Sequence, residues 1–174
     1  ELDAIMSAAE YSEETLMEFV SMIAYSIDFR SEVTVSHVAA TASISTELGK
    51  LFGLDENELK KLQLGAYLHD IGKISTPLEI LEKPGELTRE EMRIMKQHVD
   101  ITGKILKDRI HEDVFQIAYR HHEKLDGHGY PFGLDGSRLD FNSRLLGCVD
   151  IYQALTENRP YRKAMSHEKA ITLM

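Results

Sequence analysis

Apolar residues recur at steps of three and four along nearly the whole sequence, and no long stretch alternates apolar with polar as a half-buried strand would. That periodicity predicts an all-α domain, a compact bundle of six or seven helices, without an internal repeat. With 174 residues, 43% of them hydrophobic, the chain can bury one sizeable core. The longest apolar stretches, such as Phe19 to Ile27, are interrupted by Ser21 and Ser26 and fall short of the roughly 20 residues a membrane span needs.

The helices can be drawn from capping residues and breakers. Ser12 is placed to cap a first helix in which Leu16, Phe19, Val20, Ile23 and Ile27 share one face. Met22, Tyr25 and Phe29 lie off that face, so this helix either meets a second surface, such as another subunit or an upstream domain, or is buried deeply in its own core. A second helix is expected from His37 to about Phe52, and the Asp55 to Glu58 spacing opens a third that runs toward His69 and Asp70, with Gly72 and Pro77 ending it. Thr88 and Glu91 repeat the capping box before a helix carrying Met92, Met95 and His98. Another helix is read from Asp113 to His122, Asn142 or Ser143 caps one that holds Asp150, and Ser166 caps the last. Between them, residues 123 to 141 contain Gly127, Gly129, Pro131, Gly133 and Gly136, too many breakers for regular structure. A loop of that length inside a compact domain is usually functional.

Onto this frame fall five histidines and two aspartates of ligand type: His37, His69, Asp70, His98, His121, His122 and Asp150, in a chain with eight histidines in all. His111, His128 and His167, each taken alone, read as ordinary core or surface residues. The clustered set is different, because adjacent ligand-type residues can enclose an ion once other elements complete the site. The donors are imidazoles and carboxylates without a thiolate, which favours iron, manganese, nickel or zinc in a five- or six-coordinate site over a structural zinc. The lone Cys148 excludes an internal disulfide, suits a reducing cytoplasm, and is expected to be a small buried residue. The formal charge of −9 argues against a polymeric nucleic-acid ligand, which requires a basic face. A small anion drawn to metal charge stays compatible with it.

Three tracts then narrow the reading: LHDIGK at 68 to 73, HHEKLDGHGYP at 121 to 131, and RPYR at 159 to 162. In this order and spacing they resemble the HD-GYP domains, a branch of the HD superfamily of metal-dependent phosphohydrolases, over His37 to about Ala170. The resemblance implies residues 31–174 as an HD-GYP domain that continues past Met174; residues 1–30 are expected as the N-terminal helix, open to an interdomain or dimer contact by its apolar pattern, and the chain is expected to be a piece of something longer. It implies one divalent metal on His37, His69, Asp70 and Asp150, with Asp70 bridging to a second completed by His98, His121 and His122. Iron is the first expectation among the metals. The activity it implies is hydrolysis of cyclic di-GMP to the linear dinucleotide or GMP by a bridging hydroxide, with Asp70 and Lys73 catalytic and Lys73, Tyr130, Arg159 and Arg162 on the substrate. The alternatives are a preference for cyclic GMP-AMP, or a signalling module that binds nucleotide or partner without turnover. An upstream sensor or receiver domain, and a second copy or a cyclase domain as partner, complete these expectations.

Two lines of independent chemistry agree with those roles. A phosphodiester repels hydroxide, so its site must neutralise charge while generating the nucleophile, which two metals about 3.5 to 4 Å apart can do. Arg159 and Arg162 offer planar forks for phosphate, although an arginine after a helix also complements the helix dipole with no ligand present. Tyr130 could stack on a base or wedge the loop, and Gly127 and Gly129 supply backbone freedom. Departures from the family pattern are also informative. Val33 stands where members with a third metal have glutamate, and Glu32 points elsewhere, so two metals are expected. Gln153 replaces a common aspartate, and Val99 replaces a common proline, both outside the ligand set.

Overall fold

A computed structural model describes residues 13–31, 37–158 and 162–174. Among them are eight α-helices and one 3₁₀ turn, with no strand: α1 (Glu13–Asp28), α2 (His37–Leu51), α3 (Glu56–Leu68), the 3₁₀ turn (Ile71–Ser75), α4 (Leu78–Leu81), α5 (Arg89–Leu106), α6 (Glu112–Tyr119), α7 (Phe141–Thr156) and α8 (His167–Leu173). The count exceeds the expected six or seven because the short α4, after Pro77, carries no periodicity a sequence could reveal. The readings placed on Ser12, Glu32, Val33, Arg159 and Pro160 lie outside the described residues.

The helix ends follow local chemistry. Asp55 and Glu58 form a reciprocal capping box at α3, and Thr88 and Glu91 form another at α5. Ser166 caps α8 by accepting the Lys169 N–H. At α7 the cap is Asp140, which accepts from the Ser143 N–H, two residues before Asn142 and three before Ser143, where the cap was expected. His111 caps α6 through its ring nitrogen, which accepts from Asp113 N–H. That helix stops at Tyr119, so His121 and His122 sit in the following turn and not on a helix.

The core lies where α2, α3, α6 and α7 meet, around Ala42, Leu62, Ala66, Ile117, Leu145, Leu146 and Val149. A second cluster, Leu68, Leu106, Val114, Phe115 and Ala118, joins α5 and α6 to the end of α3. Burying a side chain such as Leu62 or Leu146 contributes about 1.5–3 kcal/mol, and these two clusters clamp the helix ends from which the histidines project.

Helix α1 departs from its expected face. It packs on α2, α3 and the 3₁₀ turn through Ala24, with Val20, Ile23 and Ile27 half-buried, while Leu16 and Phe19 are exposed along with Met22, Tyr25 and Phe29. The small Ala24 allows close approach, and the helix turns that side inward. Beyond its end, the Arg30 guanidinium donates to the carbonyls of Lys73, Ile74 and Thr76, tying α1 to the 3₁₀ turn. Cys148 is exposed, contrary to expectation, because Leu145, Leu146 and Val149 claim the inner face of α7.

Candidate metal centre

The end of α3 sets the geometry of the centre. His69 keeps helical backbone angles, whereas Asp70 leaves them at φ −101, ψ 8 and starts the 3₁₀ turn through Lys73 N–H donating to Asp70 O. The pair therefore spans a helix-to-turn junction and does not lie on a regular helix. Gly72 is required there by close approach: a β-carbon would stand 1.9 Å from the His98 carbonyl oxygen and 2.7 Å from Thr102 N. The Thr102 hydroxyl donates to His69 O at 3.2 Å and accepts the Gly72 N–H at 3.0 Å, so α5 and the junction are locked together.

Three histidines are aimed by one device. His69 Nδ1 donates to Ala66 O, His98 Nδ1 to Met95 O and His121 Nδ1 to Ala118 O, in each case the carbonyl three residues earlier, at 2.6, 2.6 and 2.7 Å. With Nδ1 protonated, Nε2 carries the lone pair. All three Nε2 atoms, together with Asp70 Oδ1, are buried and have no hydrogen-bond partner. Buried polar atoms are rarely left so, and four of them gathered around the Asp70 carboxylate call for cations.

Asp70 stands between two groups of ligand atoms. Its Oδ2 lies 3.3 Å from His69 Nε2 and 4.0 Å from His37 Nε2, while its Oδ1 lies 3.4 Å from His98 Nε2 and 3.9 Å from His121 Nε2. His37, His69 and Asp70 form one potential ligand group, and His98, His121 and His122 form another. Asp150 extends the pattern, with Oδ1 3.0 Å from His37 Nε2 and Oδ2 3.8 Å from His122 Nδ1. Ligands at about 2.1 Å from an ion are about 3.0 to 3.4 Å apart, so these separations are near metal-site spacing and mostly too wide for hydrogen bonds. The residues present, in two ligand groups, fit a divalent-metal centre.

Protonation favours the same use at the two aspartates and in the second group, whereas His37 and His69 are held toward the protonated form by the carboxylates beside them. Burial would raise the Asp70 carboxyl, but Lys73 and His69 beside it hold it well below the usual carboxylate range. Asp150 is lowered likewise, its hydrogen bond to His37 outweighing burial. Burial pulls His98 down, pulls His121 down further with help from His122 and His69, and takes His122 to about 3. Burial also opposes charge on His37, yet hydrogen bonds to Asp150 and Glu157 push it up to about 9. The second group thus presents neutral imidazoles beside ionised carboxylates. His122 is the exposed member, with 24% of its side chain open to solvent against 0–2% for the others, and it marks the mouth.

Around that mouth the remaining residues take varied places. Lys73 Nζ makes an ion pair with Asp70 Oδ2. Tyr130 packs on His122 with ring centroids 4.8 Å apart, and Lys96 Nζ lies 4.7 Å above the Tyr130 ring. Arg162 donates to Ala154 O near the end of α7, the helix-end contact. Arg159 lies outside the described residues. His128 and His167 are exposed and apart from the cluster, as is His111 at its cap. In the glycine-rich loop, Gly127 has φ +75, whereas Gly129 is needed for space, since its β-carbon would lie 2.4 Å from Glu123 Cα.

Sequence reasoning missed two carboxylates. Buried Glu123 accepts the N–H groups of Phe132 and Leu134 at 2.6 and 2.8 Å and so pins the loop behind Tyr130. An acid directly after two histidines was its only signal. Glu157 faces His37 Nδ1 at 3.3 Å, a contact without a motif.

Comparison with known proteins identifies the family. The HD domain family model matches residues 21–174. Over 162 residues the chain is 38% identical to the 3'3'-cGAMP-specific phosphodiesterase 1 of Vibrio cholerae, covering 92% of this chain and 38% of that protein. Over 173 residues it is 33% identical to the cyclic di-GMP phosphodiesterase response regulator RpfG of Xanthomonas campestris, covering 98% and 46%. This chain thus spans less than half the length of these relatives. Bd1817, an HDG"Y"P protein from Bdellovibrio bacteriovorus, has the same fold with a TM-score of 0.65 at 22% identity, over 85% of this chain and 51% of that one. With its histidine–aspartate junction and its GYP loop on one centre, the chain belongs to the HD domain family, in the HD-GYP branch.

Proposed function

We propose that this chain is a metal-dependent phosphodiesterase that opens cyclic di-GMP to the linear dinucleotide, and onward to GMP. The carrying observation is Asp70, a buried carboxylate whose two oxygens face two separate groups of imidazole nitrogens. His37, His69, Asp70 and Asp150 would hold one ion, and His98, His121, His122 and the other oxygen of Asp70 a second. Such ions supply Lewis acidity to the phosphodiester and lower the pKa of a coordinated water. The nitrogen and oxygen donor set suits iron first, with manganese, nickel or zinc as alternatives.

The chain's own residues orient this chemistry. Backbone carbonyls fix the Nδ1 protons of His69, His98 and His121, so no reorientation is needed when ligand arrives. Lys73, on Asp70, keeps positive charge where a phosphate oxygen becomes more negative. Tyr130 covers His122 at the mouth and offers a ring face to a base. Hydrolysis then breaks one P–O ester bond, the water's hydroxyl ending on phosphorus and its proton on the leaving oxygen. Arg159 and Arg162 are proposed to contact phosphate, Arg162 after releasing Ala154 O. The substrate, a bacterial second messenger, places the activity in the cytoplasm. Among the described residues no helix is long and apolar enough to cross a membrane.

A second reading has a specific support, since one relative at 38% identity is named for cyclic GMP-AMP. Both nucleotides belong in the test. Protein reconstituted anaerobically with Fe(II), or with Mn(II), is incubated with each nucleotide beside a chelated control, and the products are separated chromatographically. Metal-dependent linear dinucleotide or GMP is expected, faster from cyclic di-GMP. Faster turnover of cyclic GMP-AMP would change the substrate, and no product from protein holding two ions would overturn the enzyme reading.

A further inference from the structure

Three of the five clustered histidines are aimed by a carbonyl of their own segment; His122, at the mouth, and His37, which is buried, have no such bond among those described. His37 is the first residue of α2, so no carbonyl of its own helix lies one turn before it. Its Nδ1 instead faces Glu157 Oε2 at 3.3 Å, while its Nε2 points into the centre. The other Glu157 oxygen accepts from Gln153 Nε2 at 2.9 Å. The backbone of Glu157 is placed as the C-terminal cap of α7, its N–H donating to Gln153 O at 3.0 Å, and its side chain is only 15% exposed.

We propose that Glu157 is the positioning residue for His37, and that Gln153 holds it in place. The carboxylate facing His37 Nδ1 stands at position 157, four residues after Gln153. Gln153 is buried and carries no charge, but its amide fixes one Glu157 oxygen so that the other meets the imidazole. A carboxylate on a ligating histidine's outer nitrogen fixes the ring and makes the inner nitrogen a better donor, and losing it typically weakens metal binding 10- to 100-fold. Asp150, Gln153 and Glu157 thus follow one another along one side of α7, with Asp150 in the ligand set and the other two behind His37. This inference rests on the metal reading of the centre given above.

The test is a competitive titration of metal-free protein with Mn(II) and with Zn(II) against a chromophoric chelator, for the parent, Glu157→Ala, Glu157→Gln and the double variant Glu157→Ala with Gln153→Asp. Circular dichroism of the metal-free forms checks folding. The parent should take two ions. Glu157→Ala should weaken one of them about 10- to 100-fold and leave the other unchanged, Glu157→Gln should fall between, and the double variant should recover most of the loss. A glutamate that merely stabilised the end of α7 would not be rescued by an acid at 153. Equal affinities for parent and Glu157→Ala, weakening of both ions alike, or no recovery in the double variant would overturn the proposal. A parent that binds no ion would instead overturn the metal reading itself.

Discussion

Asp70 serves both ligand groups, and its loss should be felt at both, whereas each histidine serves one. Asp70→Ala is expected to leave fewer than one ion per chain and no measurable hydrolysis, while His98→Ala should retain about one ion, on the His37 side. Metal content after gel filtration, measured by plasma mass spectrometry, checks both. Two ions retained by Asp70→Ala would refute a shared carboxylate. His69, Asp70, His121 and His122 were legible in the sequence because adjacency and motif marked them, His37, His98 and Asp150 only through the family resemblance, and the structure brings all seven together. Glu157 was not legible, since its contact with His37 depends on where α7 ends. Arg162 was read with two alternatives, phosphate fork or helix-end partner; it donates to Ala154 O, where a helix terminus leaves carbonyls to be satisfied, and a phosphate role would require that bond to be released.

At the scale of elements, caps were legible where a reciprocal capping box marked them, at Asp55 with Glu58 and Thr88 with Glu91, and less so at α7, where Asp140 caps without a second partner. The start of α5 offers a pH test of such a cap. Lys83 pairs with Glu91, whose carboxylate also accepts the Thr88 N–H, and these contacts hold its pKa at about 2 against an ordinary 4.5. The folded-state value is lower than the unfolded one, so the stabilisation is complete above about 4.5 and is lost as pH falls toward 2. Glu91→Gln should therefore unfold at lower denaturant near neutrality, with the gap to the parent closing as the solution is acidified. A gap constant with pH would show that the charge contributes nothing. The packing of the 3₁₀ turn on α5 was not legible, because a glycine gives no sign of which backbone it touches. Gly72→Ala must move the turn off the His98 carbonyl, at a cost of about 1–3 kcal/mol for overpacking, and should weaken metal binding although no ligand has changed. Equilibrium unfolding with metal titration checks this, and unaltered values in both would contradict the contact. The face of α1 was misread for a related reason: periodicity names a stripe, while Ala24 and neighbouring helices decide which edge of it is buried.

For the whole molecule, the fold class followed from periodicity alone, but the relation between helices is fixed by a centre that draws on residues 37 to 150. His37 comes from α2, His69 and Asp70 from the end of α3, His98 from α5, His121 and His122 from beyond α6, and Asp150 from α7. Ions held there would cross-link five segments that are distant in sequence. In the unfolded chain those ligands are dispersed, so binding is almost wholly to the folded state. At a free concentration about 1,000 times the dissociation constant, one ion then adds about 4 kcal/mol, which for a chain of this length raises the melting temperature by roughly 10 °C. The centre without ions is under opposing pressures, with carboxylates kept ionised by their neighbours and three buried nitrogens unpaired. Stripping the ions with a chelator should therefore lower the melting temperature by roughly that amount, and returning Mn(II) or Zn(II) should restore it. His98→Ala should show a smaller chelator effect than the parent, and Asp70→Ala almost none. Calorimetry of the loaded, stripped and reloaded protein makes the comparison. A loaded protein that melts at the same temperature after its ions are removed would mean that the centre forms without them and that the helices alone hold the histidines in register.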